Sequence, residues 1–287
     1  MKSKVFKLVA LLLGLILMLT GIGVVLYPFV SDYWNSVHMA SLIAGYSDIL
    51  DEMSDEDYEN LLAAVEDYNN SLVSDPLRFE PSEERHKLYE SLLDVQGTGI
   101  IGYISIPQIY VRLPIYHGTS DDVLQVAIGH VEGSSLPIGG ESTHVVVSGH
   151  NGISAATLFT YLNKLEIGDT FTINVLNDIL TYQVEAINVV LPSESELLKI
   201  QPGRDLVTLV TCTPYGVNTH RLLVTASRIP TPEDYEEYKP QSPLDYIIPQ
   251  EGLPDFEKYI VLGSVGFIIL CLVIIVIILL VKRRRRR

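Results

Sequence analysis

The stretch Leu206–Ser227, LVTLVTCTPYGVNTHRLLVTAS, contains two β-branched runs on either side of a turn-rich connection. Leu206–Thr211 and Arg221–Ser227 are typical of strands, and the Pro, Gly and Asn residues between them are typical of a loop. Two such strands pair as a hairpin, with Cys212 ending one strand and Arg221 beginning the other. The sequence therefore predicts a hairpin that brings a thiol close to a guanidinium.

The same texture extends to both sides of this hairpin, from Gly97 to Ile229. Seven or eight short strands with few helices between them predict a mostly β domain, either a mostly antiparallel closed barrel or a sandwich. The strand-like runs are Gly99–Ile106, Tyr110–Ile115, His144–Ser148, Asp169–Leu176, Ile179–Leu191, Leu206–Thr211 and Arg221–Ser227. Short helices are expected at Ser120–Val126 and Ala155–Leu162.

The segments that flank residues 97–229 differ from this domain in composition. Residues 32–96 are acidic and place apolar residues at helical spacing, and Ser54 followed by Asp57 is a typical helix start. They predict a helical stalk before the β domain. Residues 230–258 are rich in Pro, Tyr and acidic residues, which favours an extended connector.

Two uncharged runs lie near the ends of the chain. Leu8–Ser31 has no charged residue over 24 positions, and Tyr259–Val281 has none over 23. Each run is long enough to cross a hydrocarbon core of about 30 Å at about 1.5 Å per residue. Residues 1–31 are therefore predicted to form a cytoplasmic tip with a transmembrane anchor, and 259–281 a C-terminal transmembrane helix before the basic cytoplasmic tail 282–287.

Basic residues next to a membrane span stay on the cytoplasmic side, so both termini are expected inside the cell and the domain between them outside. A cleaved signal peptide is the alternative for the first span. Its apolar run is longer than a usual signal sequence and lacks a clear small-residue cleavage site, which favours an uncleaved anchor.

The charge distribution excludes one class of partner. All 35 acidic residues lie between the two spans together with 11 of the 20 basic ones, which gives this part a formal charge of −24. Phosphate groups would be repelled by such a surface, so a nucleic-acid partner is not expected.

Cys212 is the one cysteine outside the predicted spans, because Cys271 falls within the second span. A lone thiol in this position is either incidental or reactive. A nearby guanidinium can stabilise an oxyanion or hold a substrate carbonyl, which favours Cys212 as a nucleophile with Arg221 beside it. The alternative that the spacing leaves open is an ordinary surface arginine next to a half-buried cysteine.

A thiol nucleophile needs a general acid and base, and His150 is the first candidate among the seven histidines. It follows the strand-like run His144–Ser148 and has glycines nearby, so its ring can project into a cleft. His130 is the second candidate. No cysteine pair or regular histidine array is present and the carboxylates are dispersed, so neither a metal nor a cofactor is expected.

Residues 104–229 resemble a known protein family. Thr208-Leu209-Val210-Thr211-Cys212 resembles the Thr-Leu-x-Thr-Cys signature of the sortases, cysteine transpeptidases of Gram-positive cell surfaces, and Arg221 stands at the family's arginine position. Three further segments resemble the class C, pilus-building branch: Leu113–Gly118, Ser134–Gly140 and Cys212–Arg221. The C-terminal membrane segment is also similar to that branch.

The resemblance implies an eight-stranded sortase barrel in which Cys212 is the nucleophile, His150 the acid and base, and Arg221 the oxyanion or substrate clamp. Thr211, next to the nucleophile in the signature, is a secondary candidate together with His130.

Class C enzymes often carry a lid, in which an Asp-Pro pair and a following aromatic residue cover the site. In this chain Asp75-Pro76 is followed by Leu77 in the loop 74–81, and Phe79 comes two positions later. By resemblance the loop is expected to be a lid. Because Leu77 replaces the aromatic residue, the lid is expected either to bind the site more weakly or to cover the sulfur with Leu77. A simple linker turn is the alternative.

The function that the resemblance implies is cleavage of an LPxTG-like sorting signal between Thr and Gly, followed by transfer of the acyl group to a lysine amine of a pilin subunit. The expected location is the cell membrane of a Gram-positive bacterium, with the catalytic domain outside. Two alternatives stay open, a housekeeping sortase that anchors proteins to peptidoglycan and a non-catalytic surface scaffold held at the membrane.

Overall fold

The computed structural model describes residues 2–95, 97–153 and 156–237, and Gly266. Ten strands occupy this part of the chain, and eight of them form a closed barrel. The strands are β1 (Ile100–Ile106), β2 (Val111–His117), β3 (Ile128–His130), β4 (Thr143–Ser148), β5 (Asn151–Ile153), β6 (Ala156–Leu158), β7 (Thr170–Val175), β8 (Asp178–Val190), β9 (Asp205–Thr213) and β10 (His220–Ile229).

The order around the barrel is β1-β2-β3-β4-β9-β10-β8-β7, and β5 and β6 form a separate two-stranded sheet. Two neighbouring pairs are parallel, β2 with β3 and β4 with β9, and the other barrel pairs are antiparallel. The predicted closed, mostly antiparallel barrel is therefore confirmed. The predicted hairpin is also confirmed, because β9 and β10 pair antiparallel from Thr213 opposite His220 to Leu206 opposite Ser227.

Four α-helices are present in the described residues: α1 (Lys2–Glu52), α2 (Asp55–Leu72), α3 (Glu83–Ser91) and α4 (Asp121–Leu124). The predicted helix start at Ser54 is confirmed, since its hydroxyl accepts the Asp57 N–H at 3.1 Å. Three short 3₁₀ turns, Pro107–Ile109, Leu162–Lys164 and Glu196–Leu198, complete the regular structure.

The helix predicted for residues 155–162 is wrong in its described part. Ala156–Leu158 instead forms β6, which pairs with β5. Tertiary pairing overrides the local helical preference here, because the neighbouring segment offers backbone hydrogen bonds.

The helical region of residues 32–95 packs against the barrel. The hydroxyl of Tyr46 on α1 accepts the Leu176 N–H at 2.8 Å. The amide of Asn69 on α2 forms two hydrogen bonds with the Leu136 backbone, at 2.7 and 3.0 Å. Asp32 begins the compact unit that contains the barrel, and residues 2–31 belong to a separate unit.

Among the described residues, no helix has both the length and the apolar content that crossing a membrane requires. The predicted span 259–281 and the tail 282–287 lie outside the described residues, apart from Gly266.

Residues of β4 and β9 alternate between two faces of the sheet. Val145, Val147, Val207 and Leu209 belong to the hydrophobic core inside the barrel. The residues between them therefore lie on the opposite face, and this outer face continues across β10 and β8. It ends at Cys212.

Candidate active site

The hairpin register places Cys212 directly opposite Arg221. The Cys212 carbonyl accepts a hydrogen bond from Asn151, on the side away from β10. The two residues therefore form a pair that is not hydrogen-bonded through the backbone, the type with the shorter Cα separation of about 4.5 Å. Their side chains project from the same face, so the thiol and the guanidinium are neighbours.

His150 reaches the same place from β4. Ser148 of β4 is level with Val210 of the parallel strand β9, and the Gly149 N–H donates to the Val210 carbonyl at 3.0 Å. His150 follows two residues after Ser148, and Cys212 follows two residues after Val210, so both come just beyond the end of this ladder. Cys212, His150 and Arg221 thus lie at the same end of three adjacent strands, and each is half-buried.

Gly149, next to His150, lies where neighbouring side chains leave no room for a Cβ atom. A Cβ there would lie 2.8 Å from both Ile128 Cγ2 and Phe159 Cδ2, closer than real side chains come. The Thr211 hydroxyl donates to the Gly149 carbonyl at 2.7 Å. Thr211 is buried, so the structure places this secondary candidate behind the thiol, where it supports the strand that carries His150.

Asn151 is a site residue that the sequence analysis missed. Its side-chain N–H donates to the Cys212 carbonyl at 2.7 Å. Its Oδ1 atom is buried and has no hydrogen-bond partner among the described residues. The position next to a glycine-flanked histidine was the available signal, but nothing in the sequence shows which carbonyl the amide reaches.

The loop after Cys212 contacts the same segment a second time. Gly152 has a φ of +80°, and a Cβ on it would lie 2.1 Å from Cε2 of Tyr215. The Tyr215 ring therefore packs directly on the Gly152 backbone, although its side chain is largely exposed. Asn151 and Gly152 together join the segment that follows His150 to Cys212 and to the loop after it.

Arg221 keeps its charge available. Its Nη1 atom donates to the carbonyls of Asn218 at 3.3 Å and His220 at 3.1 Å. It forms no ion pair with a carboxylate in the part of the chain that the structure describes. A half-buried cation without a counter-charge is suited to stabilise an oxyanion.

The outer face of the sheet is closed at the end away from Cys212. His144 is buried there, with Nδ1 bound to the Lys199 carbonyl at 2.9 Å and Nε2 to the Thr208 hydroxyl at 2.8 Å. The hydroxyls of Thr208 and Thr225 are 2.9 Å apart. Burial lowers the pKa of His144, and the nearby Arg78 cation acts in the same direction.

The loop 74–81 lies over this closed end. Arg78 is buried and donates to the Leu198 carbonyl at 2.7 Å. A Cβ on Gly133 would lie 2.2 Å from the Arg78 carbonyl oxygen, so the loop backbone rests directly on that glycine. Between the loop and the connection from β8 to β9 is a pocket of about 330 Å³, lined in part by Phe79, Lys199 and Ile200.

Asp75, the acidic residue of the expected lid, forms an ion pair with Arg85 on α3 and accepts the Leu77 N–H at 2.8 Å. The hydrogen bond from Arg85 is the main cause that lowers the Asp75 pKa. The structure thus brings Asp75 to Arg85 and not to Arg221. Leu77 is 61% exposed, so its side chain points largely to solvent in this arrangement.

His130 is completely enclosed by the domain. Its Nδ1 atom lies 2.9 Å from the Tyr89 hydroxyl and its Nε2 atom 2.8 Å from the Ser135 carbonyl. Burial lowers its pKa to about 4. The structure therefore places this second histidine candidate in the interior, away from the open end of the sheet.

No group of three or more His, Cys, Asp or Glu side chains among the described residues is arranged to hold a metal ion. The groups that the structure brings to one open edge are a thiol, an imidazole and a guanidinium without a carboxylate partner among the described residues.

Comparison with known proteins identifies relatives of the barrel. A family model described as the sortase domain matches residues 104–229. The crystal structure of sortase C1 from Streptococcus agalactiae is 46% identical with a TM-score of 0.65, and the match covers 67% of this chain and all of that chain. A sortase C from Clostridium perfringens, solved with the C-terminal cell wall sorting motif, is 40% identical with a TM-score of 0.57 over 67% of this chain and all of that one.

Among curated proteins, sortase A of Streptococcus agalactiae serotype III (strain NEM316) is 29% identical over 144 residues. This match covers 48% of the present chain and 58% of that relative, so the chain spans less than two thirds of its length.

Proposed function

Because the chain belongs to the sortase family of cysteine transpeptidases, we propose that it cleaves an LPxTG-like sorting signal between Thr and Gly and joins the new carboxyl end to a lysine amine of a pilin subunit. The observation that carries the proposal is the register of three strands. Cys212 faces Arg221 across the hairpin, and His150 follows the end of β4 on the other side of β9.

In the first half-reaction the Cys212 thiolate attacks the Thr carbonyl carbon, and a carbon–sulfur bond forms. The negative charge that develops on the carbonyl oxygen is stabilised by Arg221. The Thr–Gly carbon–nitrogen bond then breaks, and His150 gives a proton to the departing glycine amine. The product is a thioester between the sorting signal and Cys212.

In the second half-reaction an amine attacks the thioester carbonyl. Neutral His150 accepts a proton from the amine, a carbon–nitrogen bond forms, and the carbon–sulfur bond breaks to release the Cys212 thiolate. With a lysine amine the product is an isopeptide bond. Water attacking in its place would give hydrolysis, so partial burial of the site favours transfer.

The preference for a pilin lysine rests on the likeness to class C enzymes. The segments Leu113–Gly118 and Ser134–Gly140 resemble that branch, and a solved sortase C1 is similar over two thirds of this chain. The sortase C that was solved with a cell wall sorting motif supports the choice of sorting signal.

We place the domain outside the membrane of a Gram-positive cell, held by the uncharged segments near both termini. The support is the pair of uncharged runs, 24 and 23 residues long, and the basic residues that flank them. Substrates with their own membrane tails would then meet Cys212 in the same plane and at a raised effective concentration.

The expected lid over Cys212 stays a prediction; in this structure the loop 74–81 lies over the closed end of the sheet. Arg78 and the ion pair of Asp75 with Arg85 hold it in place. With the loop in this position, Asp75 does not pair with Arg221, and no carboxylate of the described residues does.

The proposal is tested by incubating the full-length chain in detergent with a labelled LPxTG peptide and two competing amines, a lysine-containing pilin peptide and a peptidoglycan stem peptide. We expect the label on the lysine of the pilin peptide, and none in the Cys212→Ala variant. Transfer to the stem peptide would identify a housekeeping enzyme instead. Cleavage or joining that persists in Cys212→Ala would refute the thiol mechanism, and no reaction of the wild type with any peptide would favour a scaffold.

A further inference from the structure

The backbone pairing that aligns His150 with Cys212 ends before it reaches either residue. The ladder between β4 and β9 stops at Ser148 and Val210, and the Gly149 N–H makes the last hydrogen bond, to the Val210 carbonyl at 3.0 Å. Beyond that point the chain turns into β5, which pairs with β6 and not with β9. His150 stands at this turn, so the ladder alone does not fix its ring beside the thiol.

The side chain of Asn151 continues the ladder by one step. In a parallel pair, successive carbonyls on one side of a strand accept N–H groups from every second residue of its neighbour. After Val210 the next such carbonyl belongs to Cys212, and the next donor position is residue 151. Here the Cys212 carbonyl accepts the side-chain N–H of Asn151 at 2.7 Å. The side-chain amide of Asn151 thus supplies the hydrogen bond to β9 that a backbone N–H supplies earlier in the ladder.

His150 is consequently held on both sides. Gly149 binds β9 through its N–H, and its carbonyl accepts the Thr211 hydroxyl at 2.7 Å. Asn151 binds the carbonyl of Cys212 itself. The His150 carbonyl in turn accepts the Phe159 N–H at 3.2 Å. Each contact restrains the backbone, and the Asn151 contact joins the histidine segment directly to the nucleophile.

We infer that Asn151 is a positioning residue that keeps the His150 imidazole in register with the Cys212 thiol by holding the Cys212 carbonyl. The inference rests on the proposed function for its kinetic consequence. Its structural consequence, a fixed geometry between imidazole and thiol, exists with or without a substrate. An error of about 1 Å in such a geometry can cost about 100-fold in rate.

The test uses the full-length chain with Cys271→Ser, which leaves Cys212 as the one thiol in the sequence. Two variants remove the donor: Asn151→Ala, and Asn151→Asp, which keeps the shape of the side chain but cannot donate when ionised. Asn163→Asp, at an exposed position in the turn Leu162–Lys164, adds the same charge as a control. Far-UV circular dichroism and thermal melting report whether each variant folds.

The first readout is the rate of Cys212 alkylation by iodoacetamide as a function of pH, which needs no substrate. We expect the profiles of both Asn151 variants to move away from the wild type and towards that of His150→Ala, while Asn163→Asp keeps the wild-type profile. The second readout is transfer of a sorting peptide. There we expect kcat to fall about 10- to 100-fold with KM changed less than about twofold.

The inference would be overturned if both Asn151 variants had the same alkylation profile and the same kcat as the wild type. A loss of activity that only follows a loss of folded protein would also overturn it, because that result indicates a structural role. If the wild type joins no peptide at all, the proposed function fails, and the alkylation profiles still decide whether Asn151 positions His150.

Discussion

The outer face of the β4-β9-β10 sheet has two ends with opposite character. At the covered end, His144, Thr208 and Thr225 are buried and satisfied by protein hydrogen bonds. At the open end, the Arg221 guanidinium has no carboxylate partner and the Asn151 Oδ1 atom has no hydrogen-bond donor among the described residues.

Burial of a polar atom without a partner costs about 1–3 kcal/mol, so the contrast needs an explanation. The same strands form both ends of the sheet, so the composition of the strands does not explain the difference between the ends. The difference lies in what covers each end. Arg78 of the loop 74–81 and the Leu198 and Lys199 carbonyls close one end, and we expect substrate to bind at the other.

The largest expected effect comes from the two arginines of β10. Arg221→Gln removes the cation at the open end and is expected to lower kcat about 100- to 1000-fold, with little change in the free energy of unfolding. Arg228→Gln is the matched control near the other end of the strand, where the Arg228 guanidinium lies over the Tyr182 ring. We expect it to keep activity and to lower the melting temperature slightly.

Peptide-transfer kinetics and thermal melting on both variants check this prediction. Equal losses of activity in the two variants would contradict a specific role for the open end.

The histidines differ in the same way: His130 is buried and hydrogen-bonded, whereas His150 is half-buried at the open end. The folded domain holds the His130 pKa at about 4, whereas an unfolded histidine titrates near about 6.5. Between these values the unfolded chain binds the proton and the folded chain does not, so stability falls as pH falls from about 6.5 towards 4. The contribution of His130 to this loss amounts to about 3 kcal/mol.

Urea denaturation at pH 7, 6 and 5 measures the effect, with His130→Gln as the comparison. The glutamine does not titrate, so its free energy of unfolding is expected to depend less on pH. Parallel curves for the two proteins would show that His130 does not carry this pH dependence. His144, whose pKa burial also lowers, acts in the same direction, whereas Asp205, whose pKa burial raises, opposes it.

Opening the covered end is expected to have an intermediate effect. Arg78→Ala removes a buried cation and its hydrogen bond to the Leu198 carbonyl, which is expected to weaken the attachment of the loop 74–81 by about 2 kcal/mol. Hydrogen exchange of the amides in residues 74–81 checks this, and faster exchange is expected. Arg204→Ala, which breaks the more exposed ion pair with Glu185, is the control, and we expect it to leave that exchange unchanged.

The smallest effect is expected from two glycine substitutions, which distinguish a steric contact from backbone strain. Gly152→Ala and Gly216→Ala both place a Cβ at positive φ, +80° and +73°, but only the first meets Tyr215. Each costs about 1 kcal/mol in stability through its backbone. We expect Gly152→Ala to lower kcat in addition, because it displaces the loop after Cys212.

Adding Tyr215→Ala to Gly152→Ala tests the cause, since removing the ring is expected to restore part of the lost kcat. Equal activity of the two single variants would show that the contact between Gly152 and Tyr215 does not affect the site.

The sequence predicts the hairpin and the barrel well because strand propensity and turn residues act locally. The β-branched runs on either side of Thr213–Thr219 are strands in the structure, and their pairing follows from the short loop. The helix start at Ser54 is equally local. These elements depend on residues that are close in the chain.

Features that depend on distant residues were not predicted. β6 forms because β5 offers a partner, against the helical preference of its own residues. Asp75 binds Arg85 and not Arg221, and Asn151 reaches the Cys212 carbonyl, 61 residues away. The choice of partner in each case is set by packing of the whole domain, which no short pattern contains.

The most direct test of the central claim is the mass of the peptide that contains Cys212 after brief incubation of the full-length chain with an LPxTG peptide. We expect an increase equal to the acyl half of the substrate, ending in Thr, on Cys212 of the wild type, with no such species in Cys212→Ala. A cleaved substrate without any adduct on Cys212, or an adduct on another residue, would contradict it.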